Sequence, residues 1–447
     1  MQKANIVLPR TVETALSLLE AQGFEAYVVG GCVRDSLLGR HPNDWDITTS
    51  ALPEEMQQVF RDYRVIETGI KHGTLGVLID GTLLEITTYR SDGEYLDNRH
   101  PSFVTFSRNI ADDLSRRDFT VNAMAYHPVR GLIDLFEGQR DLEFGIIRCV
   151  GNPTKRFRED GLRILRAIRF SSVLDFFIDE DTEEAILGCA GLLSGIAAER
   201  IREELCKLLC GKGAIRVLRN YVDVIGVFFP ELLAMLGFEQ NTKYHCYDVF
   251  EHTLHALEAE ERGDLLVRLS LLFHDIGKPH CYTEDSEGGH FKGHAPIGVE
   301  IAERVMRRLR FDNDSIARVK VLVERHDLPI AAERRAVRRL MSQLSSEDIL
   351  RLLEVKRCDR LAHAAFFRAL PAELSEIPAI MEELQREDAC LSLGDLAVNG
   401  KDLIALGIPA GKTLGKTLDF LLGEVLDERL ENERETLLEA AREYVLN

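Results

Sequence analysis

Apolar and β-branched residues cluster in four short runs near the start of the chain, residues 27–29, 45–48, 74–79 and 83–89. Each is rich in β-branched or aromatic side chains and punctuated by Gly or Asp, so each predicts a strand. Past about residue 140 the pattern changes. In 164–170, 201–209 and 265–273 the apolar positions recur three and four apart, the spacing of one buried helix face. The pattern predicts an α+β protein: a mixed sheet with helices up to residue 140, then an all-α remainder. Pro230 and the polar residues 239–244 mark one boundary and 371–378 another, while a Gly-rich stretch, 394–415, lies between helices near the end. Four segments follow: a head over 1–140, a helical neck over 141–238, a further helical domain over 239–370 and a helical tail over 371–447.

At 447 residues the chain exceeds the roughly 250–300 that one core sustains, which fits this division. No apolar run approaches the ~20 residues needed to span a bilayer, and residues 1–10 carry no apolar signal core. A cytoplasmic protein without membrane contact is expected. The nine cysteines are scattered with no C-x-x-C pair, so they read as packing thiols; Cys206 and Cys210, four apart on a predicted helix, suit packing better than zinc. Lys plus Arg number 55 against 74 Asp plus Glu, a net charge of −19, which excludes a protein that coats nucleic acid indiscriminately. Two basic concentrations remain: six Lys or Arg against two acids between 155 and 169, and eleven between 304 and 339. Charge runs are usually solvated helix faces, so the function has to come from motifs.

The segment 27-YVVGGCVRDSLLGRHPNDWDITTS-50 runs from an apolar strand into Gly30-Gly31 and a helix over 32–38. Two glycines at a strand-to-helix turn let backbone N–H groups approach a triphosphate, with Arg34 near enough to add charge. Asp44 and Asp46 then stand i and i+2 in a predicted strand, so both carboxylates point to one face, with Trp45 and Ile47 on the buried face. Unpaired neighbouring carboxylates repel unless cations lie between them, and Mg²⁺ shared with substrate phosphates is the usual resolution. Two such ions activate an attacking hydroxyl and neutralise departing pyrophosphate.

The run GGCVRDSLLGRHPNDWDI resembles the first motif of the class II tRNA nucleotidyltransferases, the CCA-adding enzymes of the DNA polymerase β superfamily, and the likeness continues along nearly the whole chain. It implies a polymerase-β-like head with two Mg²⁺ ions held by Asp44 and Asp46. It also implies a third carboxylate, for which Glu85 in 83-LLEITTYR-90 has the right parity. The segment 116-RRDFTVNAMAY-126 is similar to the family's ribose-recognition motif, which assigns Arg117 and Asp118 to the nucleotide hydroxyls. The segment 132-LIDLFEGQRDL-142 resembles its hinge, and 197-AAERIREELCKLL-209 the motif that buttresses the template helix.

That helix is 158-REDGLRILRAIRF-170, where Asp160, Arg163, Arg166 and Arg169 recur every three residues as one stripe. A carboxylate only accepts hydrogen bonds and a guanidinium only donates them. Cytosine and adenine both offer an amino donor beside a bare ring nitrogen, so Asp160 and Arg163 together select C and A and reject G and U without a template strand. In the family motif Arg166 and Arg169 are further nucleotide-binding arginines.

Farther on, His252, His274-Asp275, His294, His326 and Asp359 resemble the ligand set of the HD phosphohydrolase superfamily, which implies an HD-type body and a transition metal such as Mn²⁺, Ni²⁺ or Fe²⁺. The stretch 399-NGKDLIALGIPAGKTLGKTLDFLLGEV-425 resembles the family's tRNA-binding tail. The partners implied are the tRNA 3′ end, CTP and ATP, with no DNA and no membrane. Residues 91–106 lie where the family keeps a flexible loop that enzymes stopping after CC lack, so the full CCA product is expected. The alternatives are a bacterial poly(A) polymerase, a CC-only or A-only enzyme, and an HD phosphohydrolase with a nucleotide-binding head. The first is disfavoured by 68-TGIKHGTLGV-77, the CCA-adding form of a segment that reads GRRF-like in those polymerases, and the last by intact Asp44 and Asp46.

Overall fold

The early runs become a sheet in the computed structural model, which describes residues 6–67, 69–93, 104–286, 288–387 and 389–446. Most of the expected flexible loop, residues 94–103, lies outside the described residues. The strands up to residue 134 are, in chain order, β1 Ala26–Val29, β2 Asp46–Thr49, β3 Arg64–Ile66, β4 Thr74–Ile79, β5 Thr82–Thr88, β6 Arg90–Asp92, β7 Val104–Phe106, β8 Met124–His127 and β9 Gly131–Asp134. Seven form one mixed sheet in the order β3-β4-β5-β2-β1-β8-β9, while β6 and β7 pair separately. Within that sheet, among the described residues, only β2 and β5 run parallel. Leu75, Val77 and Ile79 of β4 and Leu84 and Ile86 of β5 are buried on one face, as period-two alternation demands.

The chain divides into two compact units, Met1–Pro230 and Glu231–Asn447. The first continues past the sheet into helices, among them Pro153–Glu159, Leu162–Leu174 and Ala198–Leu209. The second packs Val249–Glu258, Leu265–Phe273, His294–Arg308, Asn313–Arg325 and Ser346–Ala362 together. Of the boundary expected over 371–378, residues 371 and 372 lie outside any helix, whereas Pro378 lies inside the helix Glu373–Arg386. As the sixth residue of that helix it lies past the first turn, so it forgoes the one bond that an N–H there would make to the Leu374 carbonyl. Among the described residues no helix is long and apolar enough to cross a membrane. Burial pushes the thiols of Cys32 and Cys206 up to about 11, as expected of packing residues.

The basic run over 304–339 is not a bare cationic surface. Arg304 and Arg308 pair with Glu231, and Arg307 and Lys320 with Glu303. On the helix Arg334–Gln343, Arg334 reaches Glu387 and Glu428, Arg335 and Arg339 reach Asp427, and Arg338 reaches Glu428. The end of the chain has its own apolar core around Leu403, Leu421, Val425 and Leu437, distinct from the one around Val337, Ile349, Ile377 and Leu384. The pairs from Arg334, Arg335, Arg338 and Arg339 to Asp427 and Glu428 therefore bridge the two cores. Raising salt from about 0.1 M to about 1 M shortens the screening length from ~10 to ~3 Å. Amide exchange at residues 427–430 is expected to accelerate while exchange in the head sheet stays unchanged, which hydrogen-exchange mass spectrometry at the two salts will check.

Candidate active site

Strand register builds the open face of the head. Asp46 starts β2, and its partner across the parallel ladder is Glu85 of β5. Partners in register project to the same face, so the two exposed carboxylates stand side by side while Ile47 and Ile86 are buried behind them. Asp44 is not in the strand. The β1–β2 ladder ends at Val29–Asp46, where Gly30 turns the chain away, so strand parity does not align Asp44 with Asp46, and Trp45 is half-buried rather than core. The three carboxylates nevertheless feel one another. Although Asp46 is exposed, the protein around it desolvates its carboxyl and raises it above its ordinary range, Arg117 opposes this, and the charges of Glu85 and Asp44 raise it further.

Gly30 takes φ +83° and ψ −133°, a conformation that favours glycine. A Cβ there would meet Arg117 Nη1 at 3.1 Å and Asp46 Oδ2 at 3.9 Å. The glycine thus lets the turn lie directly beneath the Arg117 and Asp46 side chains. Gly31 begins the following helix, Gly31–Leu37, in which Arg34 is buried and donates to Asn122 Oδ1 at 2.6 Å.

Arg117 and Asp118 do not pair with each other. Arg117 Nη2 donates to Asp113 Oδ2 at 3.1 Å, whereas Asp118 Oδ2 accepts from Arg166 Nε at 2.9 Å and Nη2 at 2.5 Å. Burial opposes the charge on Asp118, but Arg166 and Asn122 outweigh it and hold the carboxyl well below its usual range.

The template stripe is broken at its first member. Asp160 lies between the helices Pro153–Glu159 and Leu162–Leu174 with extended backbone, φ −142° and ψ 106°, and its Oδ1 caps the second helix through Leu162 N at 3.0 Å. Sequence spacing placed it on the helix; the preference of Asp for capping took it off. Each stripe residue also has a protein partner. Arg200 grips Asp160 at 2.7 Å, Glu159 accepts from Arg163 at 2.6 Å, and buried Glu204 accepts from Arg169 at 2.7 Å. The sequence assigned no chemistry to Arg200 or Glu204, although both lie in the buttressing segment 197–209, whose arginine and glutamate are the available signal.

The chain is 36% identical over 425 residues to the CCA-adding enzyme of Geobacillus kaustophilus, covering 94% of this chain and 93% of that one. The chain belongs to the CCA-adding enzymes. It is therefore a nucleotidyltransferase. The CCA-adding enzyme of Limosilactobacillus fermentum is 34% identical, covering 98% of both chains. The solved structure of the Bacillus stearothermophilus CCA-adding enzyme in complex with CTP superposes with a TM-score of 0.71 at 31% identity, covering 98% of each chain. The Thermotoga maritima CCA-adding enzyme complexed with tRNA gives 0.60 at 25% identity, covering 98% of this chain and 97% of that one. Family models match in three places: a poly(A) polymerase head domain over 26–148, a probable RNA- and SrmB-binding site of polymerase A over 175–236, and a putative tRNA nucleotidyltransferase domain 2 over 296–441. The full-length relatives are CCA-adding enzymes, so the poly(A) polymerase reading is not favoured despite the name of the head model.

The second unit of this CCA-adding enzyme gathers the other predicted constellation. His252, His274, Asp275 and Asp359 offer ligand atoms within 4.8 Å of one another, and Asp275, His294 and His326 form a second such group. The residues sit mostly at helix ends. His274 follows Leu265–Phe273, His326 follows Asn313–Arg325 and His294 begins its helix. Their Nδ1 atoms are matched to backbone carbonyls, Leu271 for His274 at 2.6 Å, Val323 for His326 at 2.7 Å and Phe291 for His294 at 2.9 Å. That contact fixes the tautomer and leaves Nε2 facing the carboxylates, the usual arrangement around metal-binding imidazoles. Asp275 Oδ2 faces His252 and His274 at 3.3 and 3.2 Å, and its Oδ1 faces His294 and His326 at 3.5 and 3.8 Å. His274 Nε2 is buried without a hydrogen bond, and Asp275 Oδ2, although 2.6 Å from the Lys278 ammonium, makes no well-aligned one. Burial opposes a proton on His274, but Asp275 and Asp359 overcome it and raise its pKa to about 10. Lys278, which pairs with Asp275 at 2.6 Å, and the neighbours His245 and His363 were not singled out in the sequence.

Proposed function

We propose that the chain builds or repairs the 3′-terminal CCA of tRNA from CTP and ATP, choosing each base with protein groups. The observation that carries this is Asp46 and Glu85 in register on an open sheet face, with Asp44 close by and Arg117 over the Gly30 turn. The Asp46 carboxyl, raised by desolvation and further by the charges of Glu85 and Asp44, fits a site made for cations. Asp44 and Asp46, with Glu85 beside them, would hold two Mg²⁺ ions. Bound there, the ions would activate the tRNA 3′ hydroxyl and neutralise the pyrophosphate that leaves as the 3′ oxygen joins the α-phosphorus.

The protein's own groups do the rest. Gly30 and Gly31 let the backbone approach the triphosphate, and Arg34 adds positive charge behind it. Arg117 donates to the nucleotide, and Asp118, kept ionised by Arg166, accepts from a ribose hydroxyl. Asp160 accepts from the amino group of C or A while Arg163 donates to the ring nitrogen. Arg166 and Arg169 complete the nucleotide-binding stripe. Because Arg200 and Glu159 already engage Asp160 and Arg163, the incoming base must share or displace those partners. Residues 141–238 would act as the neck and 371–447 as the tRNA-binding tail. Nine cysteines that form no disulfide suit a cytoplasmic location.

Incubating purified protein with tRNA that lacks its CCA end tests the reading. CTP alone should extend the RNA by two cytidines, and CTP with ATP should complete CCA, while GTP and UTP should add nothing. Addition of A residues without CTP, or accumulation at CC with saturating ATP, would overturn it.

A second activity is favoured by the buried His274 Nε2 and Asp275 Oδ2. We propose that His252, His274, Asp275, His294, His326 and Asp359 hold a transition metal, Mn²⁺, Ni²⁺ or Fe²⁺, in an HD-type body over 239–370, and that it serves phosphoester hydrolysis.

A further inference from the structure

Asp113 lies just before the ribose motif and belongs to no segment singled out in the sequence, yet it is fully buried and holds both arginines that open that motif. Its Oδ1 accepts from Arg116 Nε at 2.9 Å and Nη2 at 2.7 Å, and its Oδ2 accepts from Arg117 Nη2 at 3.1 Å; Thr48 Oγ1 lies 3.2 Å from both that Oδ2 and the Thr87 carbonyl, which share its one proton. Thr48 lies on β2, two residues beyond Asp46. One carboxylate therefore ties the strand that presents Asp46 to the side chain standing over the same glycine. Arg117 keeps donors in reserve. Its Nε is buried without a hydrogen bond, and its Nη1 is 3.1 Å from the point where a Cβ on Gly30 would lie, a point 3.9 Å from Asp46 Oδ2. A guanidinium is a rigid planar fork, so anchoring one end sets the direction of the rest.

We infer that Asp113 is a positioning residue for nucleotidyl transfer that acts through Arg117. By fixing Nη2 it directs the remaining N–H groups toward a nucleotide and keeps the guanidinium from collapsing onto Asp46 and Glu85, where it would displace the cations. This rests on the reading of Arg117 as a nucleotide contact.

The test is a double-mutant cycle in kcat/KM for CTP on tRNA lacking CCA, using Asp113→Asn, Arg117→Ala and the pair. Losing a charge-assisted hydrogen bond is expected to lower the Asp113→Asn value about ten- to a hundredfold. The pair should be no slower than Arg117→Ala alone, because the effect of Asp113 passes through that side chain. A purely structural role would instead multiply the two losses. Multiplied losses, or wild-type kinetics in Asp113→Asn, would overturn the inference. Unchanged CTP kinetics in Arg117→Ala would overturn the reading of Arg117 itself, a separate outcome. Should Asp113→Asn fail to fold, Thr48→Val removes one donor to the same carboxylate with little change of shape. It is expected to cost about two- to tenfold in the native background and nothing beside Arg117→Ala. Equal losses in both backgrounds, or none in either, would overturn the inference.

Discussion

Asp46→Asn is expected to lower CTP incorporation about a thousandfold or more, because the several kcal/mol that metal ions supply to the transition state depend on its charge. The same substitution should leave the melting temperature unchanged or raise it. The sign follows from the carboxyl. Its folded-state pKa is raised above the ordinary value by desolvation from the surrounding protein and by the charges of Glu85 and Asp44. A group raised in this way contributes stability that is present below its unfolded value and lost as pH rises through its folded one. At neutral pH the ionised Asp46 therefore costs stability, and the neutral amide removes that cost. Asp44→Ala should also abolish addition while the fold stays intact. Incorporation assays beside thermal melts in EDTA will check both halves; wild-type-like incorporation by either variant would sink the metal assignment. A site that destabilises its own fold in this way is common where charge is needed for chemistry.

His274→Ala combined with Asp275→Asn is expected to bring bound transition metal to background and to remove any metal-dependent phosphohydrolase activity, while CCA addition with Mg²⁺ persists. Asn is chosen at 275 because Lys278 lies 2.6 Å from that carboxylate and is itself buried, so full truncation would strand a cation without a partner. The reasoning starts from protons. His274 has a pKa of about 10 because, despite burial, two carboxylates face it, and a bound metal ion would replace that proton. Metal loading should accordingly weaken as pH falls, since protons compete for the same nitrogen. Elemental analysis of the purified variant, alongside both activity assays, decides the point. Retained metal would contradict the ligand set, and loss of CCA addition in a folded variant would contradict two independent sites.

Local pattern determined much of this protein before any coordinate was known. Runs of apolar and β-branched residues placed β1, β2, β4 and β5 within a residue or so of their observed ends, and the three-and-four spacing located the helices Leu162–Leu174, Ala198–Leu209 and Leu265–Phe273. These are nearest-neighbour effects, written in the order of side chains. The motif GGCVRDSLLGRHPNDWDI and its companions also named the family, because each requires particular side chains at fixed spacing. What spacing could not reveal was which groups meet across the fold. It put Asp44 in a strand that begins only at Asp46, since strand length is set by where a partner strand ends. It put Asp160 on a helix that its own side chain caps from outside. It left the arginines of 334–339 as a cationic run, although their carboxylate partners lie some fifty to ninety residues later in the chain. It passed over Asp113, whose partners come from β2 and from the arginines beside it. Hydrogen bonds and ion pairs between distant segments depend on distance in space, and a sequence records distance only along the chain.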